Sequence, residues 1–318
     1  MERIPVGRLA ALVVGLSASV VAAGGAQPTR KAPATRPDIE GVWDFSSLTP
    51  LQRPPQLAAK PYLTPEEAVT FERELRRNQN VDRRGETAEA DLNGPGINEF
   101  WLERGSLAFV DGRIPTALIV DPPDGLVPAP TAESQRRIAG RQRLNVRADA
   151  AEDRSLSERC LRAASGPPYL PSPDANTLRI VQSATHVAFT AEKFHETRIV
   201  PLGGPHLPSA FRTWTGDSRG RWESGTLVVD TINFTDQIGL TGRFDGRLRL
   251  TERFTRVDPN TLRYEVRIED ATAFVAPWTV VLPMKRADQP LYEFACHEGN
   301  YSLPNILRGA RVEEQSRR

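Results

Sequence analysis

The clearest pattern along the chain is an alternation of apolar and polar residues over positions 262–269, in its second half. Such an alternation predicts a half-buried β-strand with one face in water. Asp258-Pro259-Asn260 is a turn sequence that joins this strand to Arg247–Val257, so we expect a hairpin. Further strands are predicted at Leu178–Ser183, Thr185–Thr190, His195–Pro201, Gly225–Phe234, Trp278–Arg286 and Leu291–Cys296.

A mainly β, antiparallel fold follows from the order of these strands. Strands joined by short turns form a meander, and a meander of this length closes into a lipocalin-like barrel or folds into a sandwich. Gly41-Val42-Trp43 begins the first strand, and Gly220-Arg221-Trp222 precedes the Gly225–Phe234 strand. The first motif is similar to the Gly-x-Trp that opens lipocalin-like barrels and plugs their base. Ordinary core tryptophans beside turn glycines are the alternative interpretation.

Capping signals predict a few helices that cover the β core. In Thr64-Pro65-Glu66-Glu67, Thr64 is at an N-cap position, Pro65 is at the first helical position and Glu67 follows three residues after the cap. These signals predict a helix that begins here and runs to about Arg77. A polar loop over 78–96 should follow. Other predicted elements are short strands at Leu107–Val110 and Thr116–Val120, a helix from Thr131 to about Ala150, a short helix from Ser155 to Cys160 and a closing helix at Ser302–Glu314.

The N-terminus has the features of a cleavable signal peptide. Arg3 and Arg8 form a basic start, and Leu9–Ala23 is an uncharged apolar run before small residues. This run is shorter than the roughly 20 residues that a transmembrane helix needs. The first cysteine of the chain is Cys160, so the N-terminal region has no cysteine that could carry a lipid anchor. We therefore expect a periplasmic or secreted protein without a membrane anchor. The predicted organisation is a signal peptide at 1–26, a flexible leader at 27–37 and a single β-rich domain at 38–318.

Charge balance and cysteine count narrow the expected partners. The chain has 41 basic and 40 acidic side chains, and 39 of each remain without the signal peptide, which holds Arg3, Arg8 and Glu2. This balance argues against nucleic acid or an anionic membrane as a partner, and no phosphate-loop or dinucleotide motif indicates a nucleotide cofactor. We expect a small organic molecule as the partner and leave the oligomeric state open. Two cysteines in an exported chain predict a Cys160–Cys296 disulfide, with two free buried thiols as the alternative.

Several sequence segments, taken in order, form a recognisable set. They are Pro205–Pro208, Trp214–Phe234 with the run GDSRGRWESGTLVVDTINF, Glu252–Arg256, Pro277–Thr279 and Cys296–Tyr301 with the run CHEGNY. Together they resemble a family of uncharacterised exported bacterial proteins, over roughly residues 38–314. The resemblance implies a periplasmic or secreted β-rich protein. We know of no established reaction in that family, so the resemblance implies no catalytic residue.

Histidines give the first candidate chemistry. Of the four in the chain, His195, His206 and His297 fall near predicted strand ends or turns, where sites on β scaffolds tend to lie. No His-x-His or His-Glu-x-x-His spacing forms a local metal motif. The prediction therefore includes no cofactor. A long-range metal site of these three histidines with Glu298 or Asp217 is kept as an alternative, beside purely structural histidines.

The segment Cys296–Tyr301 groups side chains that are capable of acid–base chemistry. His297 and Glu298 can exchange protons, Asn300 can hold a carbonyl or hydroxyl group, and Tyr301 can act as an acid. The alternative is a hydrogen-bonded corner that the disulfide holds in place.

Trp214–Gly220 is a second such segment, and we predict a glycine-bounded loop there. Asp217 is a candidate general base, and Arg219 is a candidate clamp for an anionic or carbonyl oxygen. A turn held by a local salt bridge is the alternative. Ser218 lacks the Gly-x-Ser-x-Gly context of a serine hydrolase.

Two carboxylates interrupt the strand alternation. Asp230 shares a face with Val228, and Glu252 shares a face with Leu250 and Phe254. If those faces point inward, each carboxylate needs a cation or a ligand, because an unpaired buried charge is costly. Pairing with an arginine is the expected outcome, and a role as an acid catalyst is the alternative.

The leading hypothesis is an exported enzyme that processes a small organic molecule in a β-barrel pocket by histidine and carboxylate acid–base chemistry. It would be a hydrolase, lyase or isomerase. Its catalytic residues would be His195, His206, Asp217, His297 and Glu298, and its substrate-binding residues Arg198, Arg219, Asn233, Asn300 and Tyr301. The alternatives are a non-catalytic periplasmic ligand-binding or interaction protein, and a metal-dependent enzyme using the three histidines.

Overall fold

One large antiparallel sheet dominates the computed structural model, which describes residues 36–83, 97–145, 148–162, 166–235 and 247–316, without the side chains of 141–145. Most of its strands lie where apolar and polar residues alternate. The strands are β1 Gly41–Asp44, β2 Tyr62–Leu63, β3 Ile114–Pro115, β4 Ile119–Asp121, β5 Thr177–Gln182, β6 His186–Ala191, β7 Thr197–Pro201, β8 Asp217–Glu223, β9 Thr226–Ile232, β10 Arg249–Asp258, β11 Thr261–Glu269 and β12 Trp278–Arg286.

The sheet is nearly closed into a barrel. Its strands follow the order β7-β6-β5-β1-β12-β11-β10-β9-β8, and β4 pairs with β12. Strands β2 and β3 form a separate antiparallel pair. The two end strands meet where Leu202, just after β7, bridges to Gly220 in β8. A Cβ atom at Gly220 would lie 2.9 Å from Leu202 and 3.1 Å from Val200, so glycine permits this close approach. The predicted mainly β barrel with few helices is confirmed.

Large apolar side chains fill the space inside the barrel. Trp43 at the start of the sheet is fully buried, and its Nε1 donates a hydrogen bond to the carbonyl of Ile39 at 3.0 Å. The guanidinium groups of Arg256 and Arg286 lie 5.8 and 5.9 Å from its ring. Trp222, by contrast, is partly buried and packs against the edge of the core. Other large, fully buried side chains are Trp278, Tyr264, Phe189, Phe234 and Phe254.

Three α-helices lie within the described ranges: α1 Pro65–Gln79, α2 Ala132–Asn145 and α3 Ser302–Ser316. The predicted cap of α1 is confirmed, since the Thr64 hydroxyl accepts from the Glu67 N–H and the Glu67 carboxylate accepts from the Thr64 N–H. Thr131 caps α2 through the N–H of Ser134, at 3.1 Å. Residues 146 and 147, in the predicted continuation of α2, lie outside the described residues.

The strand predicted at Leu291–Cys296 is wrong, because the segment forms no strand. Strand β12 already has β11 on one edge and β1 with β4 on the other, so this segment finds no free neighbour there. The backbone N–H of Phe294 instead donates to the His195 ring at 2.9 Å.

The Trp214–Gly220 segment also differs from the prediction, because its second half belongs to β8 rather than to a loop. Ser155–Cys160 forms hydrogen-bonded turns rather than a helix, although Ser155 and Glu158 exchange the expected capping hydrogen bonds. Near Leu107–Val110 only Val110 is paired, in a single bridge to Arg113.

Some predictions concern residues that the structure does not describe. The signal peptide at 1–26, most of the leader at 27–37 and most of the loop at 78–96 lie outside the described residues. Within the described ranges, no helix combines the length and the apolar content needed to cross a lipid bilayer.

Candidate functional site

Strands β8 and β9 carry charged side chains on their outer face, at the end where β8 begins. The strand register pairs Arg219 with Asp230 on this face and Ser218 with Thr231 on the inner face. Residues 202–216, which connect β7 to β8, contact the outer face through side-chain and backbone hydrogen bonds. The alternation of the strands therefore separates an outer charged group from the barrel core.

The imidazole of His206, in this connection, lies between two carboxylates. Its Nδ1 is 2.8 Å from Oδ2 of Asp217, and its Nε2 is 3.1 Å from Oδ2 of Asp230. An ionised carboxylate only accepts hydrogen bonds, so both ring nitrogens must donate if both contacts are hydrogen bonds. The arrangement therefore fits an imidazolium ion that bridges β8 and β9.

Asp217 is the most enclosed carboxylate of this group, with its side chain 6% exposed. The N–H of Leu207 donates to Oδ2 at 2.8 Å, and Nη1 of Arg219 donates to Oδ1 at 2.6 Å. Burial by itself raises the pKa of Asp217, but the hydrogen bonds from Leu207, His206 and Arg219 outweigh it, so the pKa lies below its ordinary value. Asp217 is therefore an ionised group that fixes the orientation of the imidazole.

Asp230 has His206 and Arg249 as its partners. Nε and Nη2 of Arg249 lie 2.9 and 3.1 Å from its two carboxylate oxygens. The Asp230 side chain is 15% exposed, while those of His206 and Arg249 are 23% and 56% exposed, so small molecules in solution can reach this side. We call His206, Asp217, Arg219, Asp230 and Arg249 the His206 cluster.

The connection from β7 to β8, which carries His206, also carries exposed apolar side chains. Leu207, Phe211 and Trp214 are 47%, 60% and 38% exposed. Asn233 holds the connection at the end of β9, because its Nδ2 donates to the Leu207 carbonyl at 2.9 Å and its carbonyl accepts from the Thr213 N–H at 3.1 Å. The same connection thus carries His206 and exposed apolar side chains, and Asn233 fixes its position at the end of β9.

The inner face of β7 and β10 carries a buried ion pair between Arg198 and Glu252, whose side chains are 3% and 0% exposed. Arg198 donates to both carboxylate oxygens, with Nη2 3.1 Å from Oε1, and the Tyr264 hydroxyl donates to Oε1 at 2.9 Å. The guanidinium lies 4.9 Å from the centre of the Phe189 ring. We call Arg198, Glu252 and Tyr264 the inner network. Arg198, predicted to bind substrate, is here buried and pairs through Nη1 and Nη2 with core residues, while its buried Nε has no hydrogen-bond partner among the described residues.

Burial and neighbouring charges shift the pKa values of Arg198 and Tyr264 in the inner network. Burial lowers the pKa of Arg198, whereas the charge of Glu252 and the neighbouring Tyr169 and Tyr264 raise it. The raising effects are larger, so the pKa of Arg198 lies above its ordinary value. Burial and, second, the charge of Glu252 raise the pKa of Tyr264, whose hydroxyl therefore stays protonated and donates. The expected pairing of an inward-facing Glu252 with an arginine is present.

His195 contacts a different part of the chain. Its Nε2 accepts a hydrogen bond from the N–H of Phe294 at 2.9 Å and lies 3.3 Å from the carbonyl of Tyr292. The rings of Phe194 and Phe294 also lie together, 4.8 Å apart. In these contacts His195 holds the segment that follows β12.

The predicted disulfide between Cys160 and Cys296 is present and joins this C-terminal segment to the turns after Ser155. Nδ2 of Asn300 donates to the carbonyl of Glu158 at 2.8 Å. The neighbouring side chains are exposed, namely those of His297, Glu298 and Tyr301. These are the contacts of a hydrogen-bonded corner, which was the alternative for this segment.

The structure thus brings together some of the sequence-predicted site residues and not others. Four of them meet at the outer face, namely His206, Asp217, Arg219 and Asn233. The others are found at the C-terminal segment: His195 contacts it, and the corner contains His297, Glu298, Asn300 and Tyr301. Across the described part of the chain, no group of three or more His, Cys, Asp or Glu side chains is arranged to hold a metal ion.

Sequence reasoning missed Arg249 as a member of the site. The available signal was the strand alternation, which places Arg249 on the outer face of β10 as it places Asp230 on the outer face of β9. The pairing of these two strands joins positions that are distant in sequence, so the alternation alone did not bring the two residues together. Asp230 was singled out only as a carboxylate that would need a cation.

No family model, curated protein or solved structure matches this chain. Fold and site together define a β-barrel protein with an accessible histidine–carboxylate cluster on its outer face.

Proposed function

We propose that this protein is an exported enzyme that processes a small organic molecule by acid–base chemistry at His206, as a hydrolase, lyase or isomerase. The observation that carries the proposal is the imidazole held between Asp217 and Asp230, with a side chain that remains 23% exposed. A histidine that is oriented by a carboxylate and reachable by a substrate can act as a general acid or base.

His206 and Asp217 have separate parts in this proposal. His206 donates the proton on Nε2 to the substrate, so that the N–H bond breaks and its electron pair stays on the ring. Asp217 keeps the proton on Nδ1 and is a positioning residue, because it touches the imidazole rather than the substrate. The neutral ring then takes up a proton again on Nε2, from the reacting molecule or from water, which completes the cycle.

The location on the outer face changes the initial hypothesis of a pocket inside the barrel. Aromatic side chains and the inner network occupy the described interior, for example Tyr169 and Phe254 with ring centres 6.5 Å apart. The His206 cluster, in contrast, borders exposed apolar side chains that offer an apolar part of a substrate a contact surface.

Export is part of the proposal. The Cys160–Cys296 disulfide is compatible with an oxidising compartment such as the periplasm or the exterior. The signal-peptide features at residues 1–26 point the same way. No cofactor is part of the proposed reaction.

A non-catalytic ligand-binding or interaction protein is the second candidate, and one observation favours it. Both ring nitrogens of His206 already have partners, so the cluster could serve only to hold the connection from β7 to β8 on the barrel. The two candidates differ in whether a compound is chemically changed.

The experiment is incubation of the purified mature protein with pools of small organic metabolites, followed by mass spectrometry of the mixtures. We expect the wild type to convert at least one compound and His206→Gln to lose about 100-fold or more of this activity, as for removal of an acid–base group. His186→Gln is the matched control, because His186 is an exposed histidine whose Nδ1 contacts Thr185 at 2.9 Å, away from the cluster. Absence of any conversion, or equal conversion by His206→Gln and wild type, contradicts the proposal.

A further inference from the structure

The hydrogen bonds of the His206 cluster determine its charge. Arg219 and Arg249 balance Asp217 and Asp230, and the second ring proton that lets His206 donate to both carboxylates adds one positive charge. An excess of this kind, close to the surface, attracts anions at low ionic strength.

A further cation and exposed apolar side chains lie on the same connection as His206. Arg212 is exposed on the connection from β7 to β8, and its Nη1 lies 3.4 Å from the carbonyl of Phe234 at the end of β9. Leu207, Phe211 and Trp214 on the same connection present apolar side chains to solvent. A ligand bound here would meet positive charge and apolar surface together.

We propose that the ligand of the His206 cluster is a small organic anion, a carboxylate with an apolar body. The proposal rests on the proposed function as far as the location of the site is concerned. Arg249 is its main partner, because its side chain is 56% exposed and, among the described residues, Asp230 contacts only Nε and Nη2 of its guanidinium. The Nη1 side can pair with a second carboxylate, since the planar guanidinium presents donors on more than one edge, and the apolar body covers Leu207, Phe211 or Trp214.

Benzoate and benzamide are a suitable pair of probes, since they share the ring and differ in charge. Calorimetric titration of the full mature chain, near neutral pH and at low salt, should give benzoate at least about tenfold tighter binding than benzamide. Arg249→Gln should weaken benzoate binding about tenfold and leave benzamide binding unchanged.

Arg221→Gln is the matched control for Arg249→Gln. Arg221 is also an exposed arginine on the outer face, and it pairs with the exposed Glu223 at 2.6 Å on β8. Its replacement should leave benzoate binding as in the wild type.

Three results would overturn the proposal: equal affinity for the two probes, no binding of benzoate, or unchanged benzoate binding by Arg249→Gln. These results are distinguishable from failure of the proposed function. Arg249-dependent binding of benzoate without conversion of any compound supports the ligand class and contradicts the catalysis. Conversion of a neutral compound that depends on His206 supports the catalysis and contradicts the ligand class.

Discussion

The pair of strands β9 and β10 has charged groups on both faces, and these groups differ in their access to water. Asp230 and Arg249 face outward in the His206 cluster, with side chains 15% and 56% exposed. Glu252 faces inward, fully buried against Arg198, whose side chain is 3% exposed. Burial makes an ion pair costly to break, whereas exposure makes it weak but reachable by a ligand. We therefore expect the inner network to serve the fold, and we propose the outer cluster as the place for chemistry.

The largest effect is expected from breaking the inner network. Arg198→Met removes the only cation that pairs with Glu252 in the described core, and it should lower the free energy of unfolding by about 3 to 5 kcal/mol, because a buried charge is left unpaired. Urea denaturation followed by circular dichroism measures this. In Arg198→Met with Glu252→Leu most of the loss should be recovered. A loss below about 1 kcal/mol in the single variant would contradict the assignment of Arg198 to the core.

A medium effect is expected at Tyr264. Its hydroxyl donates to Glu252 at 2.9 Å and accepts from the N–H of Tyr169 at 3.2 Å. Tyr264→Phe leaves both groups short of a partner, so the free energy of unfolding should fall by about 1 to 3 kcal/mol. The same urea titration measures it, with the exposed Tyr292→Phe as the control. Equal stability of the two variants would show that this hydroxyl contributes nothing to the core.

The smallest effect on stability is expected at Asp217 and depends on pH. The pKa of Asp217 is lower in the folded than in the unfolded chain, so the ionised carboxylate stabilises the folded state. This contribution to the free energy of unfolding is fully present above the unfolded pKa of about 3.9, and it is lost as the pH falls through the folded pKa. Asp217→Asn should therefore flatten the decline of stability in this acid range. Melting temperatures measured along a pH series test this, and an unchanged slope would count against an ionised, hydrogen-bonded Asp217.

Much of the fold could be predicted from local patterns. The alternation over 262–269 and the capping sequence at Thr64 describe contacts between residues close in sequence, and both predictions are confirmed by β11 and α1. Leu291–Cys296 shows the limit, because an apolar segment becomes a strand only if a neighbouring strand has a free edge.

The candidate site was harder to predict, as Asp230 and Glu252 illustrate. Both are carboxylates that share a strand face with apolar residues, and their local sequence does not distinguish them. The strand register places Asp230 with Arg219 and Thr251 outside and Glu252 with Val229 inside. Which face points inward depends on closure of the barrel, and closure depends on contacts such as Leu202 with Gly220 that no local pattern reveals.

The division between the two faces is tested most directly by comparing His206→Gln with Tyr264→Phe. For each variant we would measure the free energy of unfolding and the rate at which it converts the compound that the wild type consumes. We predict that His206→Gln stays within about 1 kcal/mol of the wild type, as for a partly exposed ion pair, and loses about 100-fold or more of its activity. Tyr264→Phe should lose stability and keep its activity under conditions where it is folded. The reverse pattern, an unstable but active His206→Gln protein, would contradict the account.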